Sequence, residues 1–147
     1  MSLQFKQVSF GYDKGANLFD GLDLTFRRGE FAAIIGPNGS GKSTFCDGIK
    51  PYLGGDWVID ATLASLETAR NTMEAVFALG ANAVIIHIIR DPEDAWQNGV
   101  LKRAAHGSHC TPRRVFEHTH KVVADNVAIL EQEFARKGLQ VYRIENK

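Results

Sequence analysis

The chain of 147 residues is 44% hydrophobic and 23% charged, enough apolar material for one compact core and too short for two ordinary domains. Seventeen Lys and Arg balance seventeen Asp and Glu, so no global field draws it to nucleic acid or to an anionic membrane. Its two cysteines are Cys46 and Cys110, and the opening Met1-Ser2-Leu3-Gln4-Phe5-Lys6 lacks the charged and apolar regions of a signal peptide. No apolar run approaches the roughly 20 residues of a membrane span, so the expectation is a soluble protein of a reducing compartment, most simply the cytoplasm.

Apolar residues alternate at Val8, Phe10 and Tyr12 and again at Leu22, Leu24 and Phe26, with Gly11, Gly15, Asn17, Asp20 and Gly21 as breakers between them. That pattern predicts two strands of an antiparallel flap. After a turn at Arg27-Arg28-Gly29-Glu30, the continuous run Phe31-Ala32-Ala33-Ile34-Ile35 predicts a strand buried on both faces, the mark of a parallel sheet. Similar strands are expected at Trp57-Val58-Ile59 and from Ala83 to Ile89, separated by a helix from Leu63 to Leu79 that Gly80 ends. Asp91-Pro92 starts a helix toward residue 104. Thr111-Pro112 starts a longer one, with threonine as N-cap and proline in the first turn, running to Gly138. A last strand follows around Leu139, Val141 and Ile144. The alternation of strand and helix predicts one α/β domain over 1–147, a three-layer parallel sheet carrying an N-terminal antiparallel flap.

The segment Gly36-Pro37-Asn38-Gly39-Ser40-Gly41-Lys42-Ser43 matches the phosphate-binding pattern G-x-x-x-x-G-K-[ST] and sits between a buried strand and a helix, as the pattern requires. Glycines let the backbone turn its N–H groups inward at a helix N-terminus, where the dipole adds positive potential. Lys42 supplies a charge for the β- and γ-phosphates, and the Ser43 hydroxyl can reach a Mg²⁺ bridging them. With Asn38, Gly39, Ser40, Gly41 and Thr44 these residues form the candidate cradle for ATP and Mg²⁺.

Val8-Ser9-Phe10-Gly11-Tyr12, then Leu22 to Glu30, then Gly36 to Thr44 resemble the opening of an ABC-type ATPase domain over roughly residues 3 to 55. The resemblance implies that Tyr12 stacks on adenine; packing on the flap is the other role open to it. The glutamine loop, the L-S-G-G-Q signature and the switch histidine of that family are not found downstream, so the paired ATP sandwich of a transporter motor is not expected.

Asp60 ends a hydrophobic strand, where phosphate-loop proteins place an aspartate beside Mg²⁺ through water, although such a residue can equally start a turn. Ala61 follows it, where an ABC-type hydrolase would carry its catalytic carboxylate. Lys102, Arg103, Arg113, Arg114 and Lys121 with His106, His109, His118 and His120 form a basic cluster that a lid over the phosphates would use. Arg103 is the best placed of these, the other reading being a solvated helix face. The histidines and Cys110 do not have zinc-ligand spacing, and no G-x-S-x-G elbow supports a serine hydrolase. His87, mid-strand, reads as a hydrogen-bonded core histidine.

Val58-Ile59-Asp60-Ala61-Thr62-Leu63, the helix to Gly80, Ile88-Ile89-Arg90-Asp91-Pro92 and Gly107 to Pro112 with its long helix are similar to zeta-toxin-type kinases over residues 57 to 147. That resemblance implies ATP-dependent phosphorylation of UDP-N-acetylglucosamine, with Asp60 and Thr62 facing the sugar nucleotide and Arg103 at the phosphates. Such kinases carry a longer segment before the Trp57 strand, holding the base and much of the acceptor pocket, where this chain has only Phe45 to Asp56. The chain therefore reads as a mosaic, ABC-like to about residue 56 and kinase-like beyond it, the pattern an engineered chimera would show. The expected activity is binding of Mg·ATP with at most slow hydrolysis; a small-molecule kinase, or an interaction module stabilised by nucleotide, are the other readings.

Overall fold

A computed structural model describes residues 2–10, 19–27, 30–37, 40, 42–49, 58–61, 65–107 and 112–146. Strands β1 (Ser2–Phe10) and β2 (Phe19–Arg27) form the antiparallel flap. A register irregularity between Phe5 and Val8 puts Gln7 at a positive φ of 50°, held by Asp23, whose carboxylate accepts from the Gln7 backbone N–H and from its side-chain amide.

The central sheet is parallel throughout, in the order β4 (Val58–Ala61), β3 (Glu30–Ile35), β5 (Asn82–Ile89), β6 (Gln140–Glu145). Phe31 to Ile35 are all buried, as an apolar run without alternation requires of a strand covered on both faces. On one face, Ile34, Ile86, Ile88 and Ile144 pack against Phe45 and Cys46 of helix α1 (Lys42–Ile49) and against Phe5 and Leu24 of the flap. On the other, Ala33, Ile35, Ala83 and Ile85 pack against helix α2 (Leu66–Ala78) and helix α5 (Arg113–Phe134), through Ala69, Met73, Val123, Val127 and Leu130. The flap thus shares a layer with α1, and the architecture is the expected three-layer α/β arrangement.

Local signals set the helix ends. Ser65 caps α2 by accepting from the Thr68 amide, a contact worth about 1 kcal/mol, and Gly80 at φ 76° ends the helix. Asp91 caps α3 (Pro92–Ala95), which continues through a π turn at Trp96–Val100 into α4 (Leu101–Ala105). Trp96 and Val100 there pack with Phe116 in a small separate cluster.

One expected cap is corrected. Pro112, not Thr111, occupies the N-cap position of α5, and no side chain among the described residues caps that helix. At φ −56° and ψ 138° Pro112 is extended, so its carbonyl is the first to enter the helical pattern, accepting from the Phe116 amide, and Arg113 is the first helical residue. Thr111 lies outside the described residues.

Candidate functional site

Parallel strands bring all their C-terminal ends to one edge. The chain leaves β3 toward α1 on one face, whereas its neighbours β4 and β5 are followed by helices on the other. Ligands of open α/β sheets bind where successive connections diverge in this way. The segment after β3 is the phosphate-binding pattern, and it stands at that point.

Gly36 and Pro37 are buried as the chain leaves β3. A Cβ on Gly36 would lie 2.6 Å from Ser40 Oγ, 3.2 Å from the Ile88 carbonyl oxygen and 3.3 Å from Ile88 Cβ. The first glycine of the pattern is therefore enclosed between the Ser40 side chain, where the contact is tightest, and β5, a role distinct from the inward-turned amides expected of Gly39 and Gly41. The Ser40 amide donates back to the Pro37 carbonyl at 3.1 Å, closing a turn. Ser40 is fully buried, and its hydroxyl has no hydrogen-bond partner among the described residues. The Ser40 carbonyl accepts from Asn146 Nδ2 at 2.9 Å, across 106 positions of sequence. Lys42, Ser43 and Thr44 form the first turn of α1, which places their backbone at a helix N-terminus. Asp60 pairs with Ile34 in the β4–β3 register, one residue before the end of each strand, so its backbone lies beside the loop at the same edge.

Tyr12, Asn38, Gly39, Gly41 and Thr62 fall outside the described residues. Arg103 is exposed in the last turn of α4 and has no ion pair among the described residues. Arg113, a member of the basic cluster, is committed elsewhere. It pairs with Glu93 and Glu117 and lies over the Trp96 ring at 5.4 Å, locking α5 to α3. Immediately after β5, Arg90 donates to Asp94 at 2.6 Å, and Asp94 also accepts from Asn98. The Asn98 amide first, then the Arg90 guanidinium, hold the Asp94 carboxyl below its usual range. No His, Cys, Asp and Glu cluster that could hold a metal occurs among the described residues, which leave out His109 and Cys110.

His87 lies near the end of β5, opposite Ile35 and Arg143. It is buried, as its position in the strand implied, but its Nδ1 has no hydrogen-bond partner among the described residues. Burial above all, then the charges of Arg143 and His120, push the imidazole down to about 4. The expected hydrogen-bonded core histidine is thus a buried neutral one whose Nδ1 is unpartnered among the described residues. Asn146 was invisible to sequence reasoning. A lone asparagine after a strand has many uses, and only the fold brings it to residue 40.

Sheet, flap and loop together define an α/β protein of the phosphate-loop NTPase class. A family model described as Zeta toxin matches residues 53–147, most of the chain, and the chain belongs to that family. A second model, described as ABC transporter, matches residues 19–54, so two phosphate-loop families meet in one short chain. The chain is also similar to curated ABC proteins. One is YwjA of Bacillus subtilis, an uncharacterized ABC transporter ATP-binding protein, 31% identical over 110 residues that cover 65% of this chain and 19% of that protein. Another is the energy-coupling factor transporter ATP-binding protein EcfA1 of Streptococcus pneumoniae, 39% identical over 74 residues, 47% of this chain and 27% of that protein. The chain thus spans about a fifth to a quarter of the length of these relatives. No helix among the described residues is long and apolar enough to cross a membrane.

Proposed function

We propose that the chain binds Mg·ATP at the loop from Gly36 to Thr44 and hydrolyses it slowly at most. The observation that carries this reading is the placement of the phosphate-binding pattern between β3 and α1 at the diverging edge of a parallel sheet, with Gly36 packed so closely on Ser40 and Ile88 that a Cβ would lie 2.6 Å from Ser40 Oγ. The donor set suits the ligand. Loop amides and Lys42 would hold the phosphates, Tyr12 would meet adenine, and the Ser43 hydroxyl with the Asp60 carboxylate would offer the hard oxygens that Mg²⁺ prefers. Bound Mg²⁺ would neutralise charge on the β- and γ-phosphates. Arg103 would supply further positive charge from the α4 side.

Slow turnover follows from what accompanies these groups. Ala61 follows Asp60, so a carboxylate at that position is not there to activate water, and loss of a general base costs about 10²–10⁴ in rate. The Zeta toxin match over 53–147 favours a second reading, an ATP-dependent kinase acting on a sugar nucleotide, in which Asp60 and Thr62 face the acceptor. The interval from Phe45 to Asp56 is short for an acceptor pocket, which ranks that reading second.

Calorimetry with Mg²⁺ should show ATP binding that Lys42→Ala weakens about tenfold or more, since charge-assisted contacts are worth roughly 1.5–3 kcal/mol. Tyr12→Ala should cost about 1–3 kcal/mol of ATP affinity but little with inorganic triphosphate, which has no base to stack. Equal ATP affinity in wild type and Lys42→Ala would refute the site. A sugar nucleotide phosphorylated in a Lys42-dependent way, detected by mass spectrometry, would promote the kinase.

A further inference from the structure

We infer that Asn146 is a positioning residue for the phosphate loop, which makes the end of β6 a working part of the nucleotide site; this rests on the nucleotide-binding reading above. The Asn146 backbone N–H donates to the Ile89 carbonyl at 2.7 Å, extending the β5–β6 ladder by one residue. Its side-chain amide then reaches the Ser40 carbonyl at 2.9 Å, and the residue is 4% exposed. The loop is therefore pinned twice to one pair of strands: Gly36 lies on Ile88, and Ser40 hangs from Asn146. The bond to the Ser40 carbonyl therefore holds the loop backbone at Ser40 to the end of the sheet. Anion binding by a loop depends on amides aimed before the ligand arrives, and a loop that must reorder on binding loses affinity. The anchor belongs to the sheet and not to the loop, and so adds rigidity that the glycine-rich sequence cannot supply. Asn146 does this without touching the ligand.

The test compares wild type with Asn146→Ala, which removes the donor, and with Asn146→Asp, which keeps the shape but presents only oxygen to the Ser40 carbonyl. Arg143→Gln serves as the control, because it changes a β6 residue whose partner is Glu131 of α5 and not the loop. ATP affinity is read by calorimetry with Mg²⁺ below the melting point of every variant, and amide hydrogen exchange of residues 36–45 is read without nucleotide. Expected is about tenfold weaker ATP binding for both Asn146 variants, equivalent to about 1.4 kcal/mol. Faster exchange in 36–45 should accompany it, with wild-type affinity in Arg143→Gln whatever its melting temperature. If Asn146→Ala does not fold, Asn146→Asp carries the test. Wild-type ATP affinity in the Asn146 variants, or unchanged exchange in 36–45, overturns the inference while the nucleotide reading stands. Absence of ATP binding by the wild type overturns both.

Discussion

Gly36→Ala tests the geometry of the loop with a single carbon. The added Cβ would meet Ser40 Oγ at 2.6 Å and the Ile88 backbone oxygen at 3.2 Å. Ile88 lies in a buried central strand and cannot retreat, and the fully buried Ser40 side chain has no solvent to swing into. Overpacking of this kind costs about 1–3 kcal/mol, which for a domain of this size lowers Tm by about 2–4 °C per kcal/mol. Ser40→Ala alone should be neutral or mildly stabilising, because it removes a buried hydroxyl that has no partner among the described residues. In the double variant the tightest contact disappears while those to Ile88 at 3.2 and 3.3 Å persist. The double variant should therefore recover about 1 kcal/mol relative to the sum of the two single changes, leaving a residual penalty. Urea denaturation of all four proteins measures the cycle. Additivity within about 0.3 kcal/mol, the behaviour of independent sites, would mean that Gly36 and Ser40 do not meet and that the loop lies elsewhere.

Two further perturbations address charge. The imidazole of His87, pushed down to about 4 in the fold, stays neutral where the unfolded chain takes up a proton. Its contribution is complete above about pH 6.5 and is lost as the pH falls toward 4, by about 2 kcal/mol once partial solvent screening is allowed for. Urea midpoints should fall across that window and do so less in His87→Leu; equal pH slopes would remove His87 as the cause. Asp60→Asn should weaken Mg²⁺-dependent ATP binding and residual phosphate release together if the carboxylate steadies the metal through water. Wild-type values for both would make Asp60 a turn residue only.

Sequence by itself determined the layers and the loop. Phe31 to Ile35 and Ala83 to Ile89 are apolar without alternation, and only strands covered on both faces need that. The glycines, Lys42 and Ser43 stand in a contiguous pattern whose chemistry is local, and Gly80 and Gly138 punctuate the helices through contacts within a few residues, whereas the start of α2 at Leu66 behind Ser65, and not at Leu63, is read from the structure. Tertiary structure decided what depends on partners far along the chain. Pairing in the sheet set Asp60 beside Ile34 and buried His87 near Arg143 and His120, its Nδ1 without a partner among the described residues. Helix packing gave Arg113 to Glu93 and Trp96, although by composition it belonged with the other basic residues of the cluster. The tie from Asn146 to Ser40 and the closeness of Gly36 to Ile88 arise because parallel strands bring all their C-terminal ends to one edge. No local pattern encodes which side chains meet there, since a hydrogen bond needs only a donor within about 3 Å, and the fold alone sets that distance.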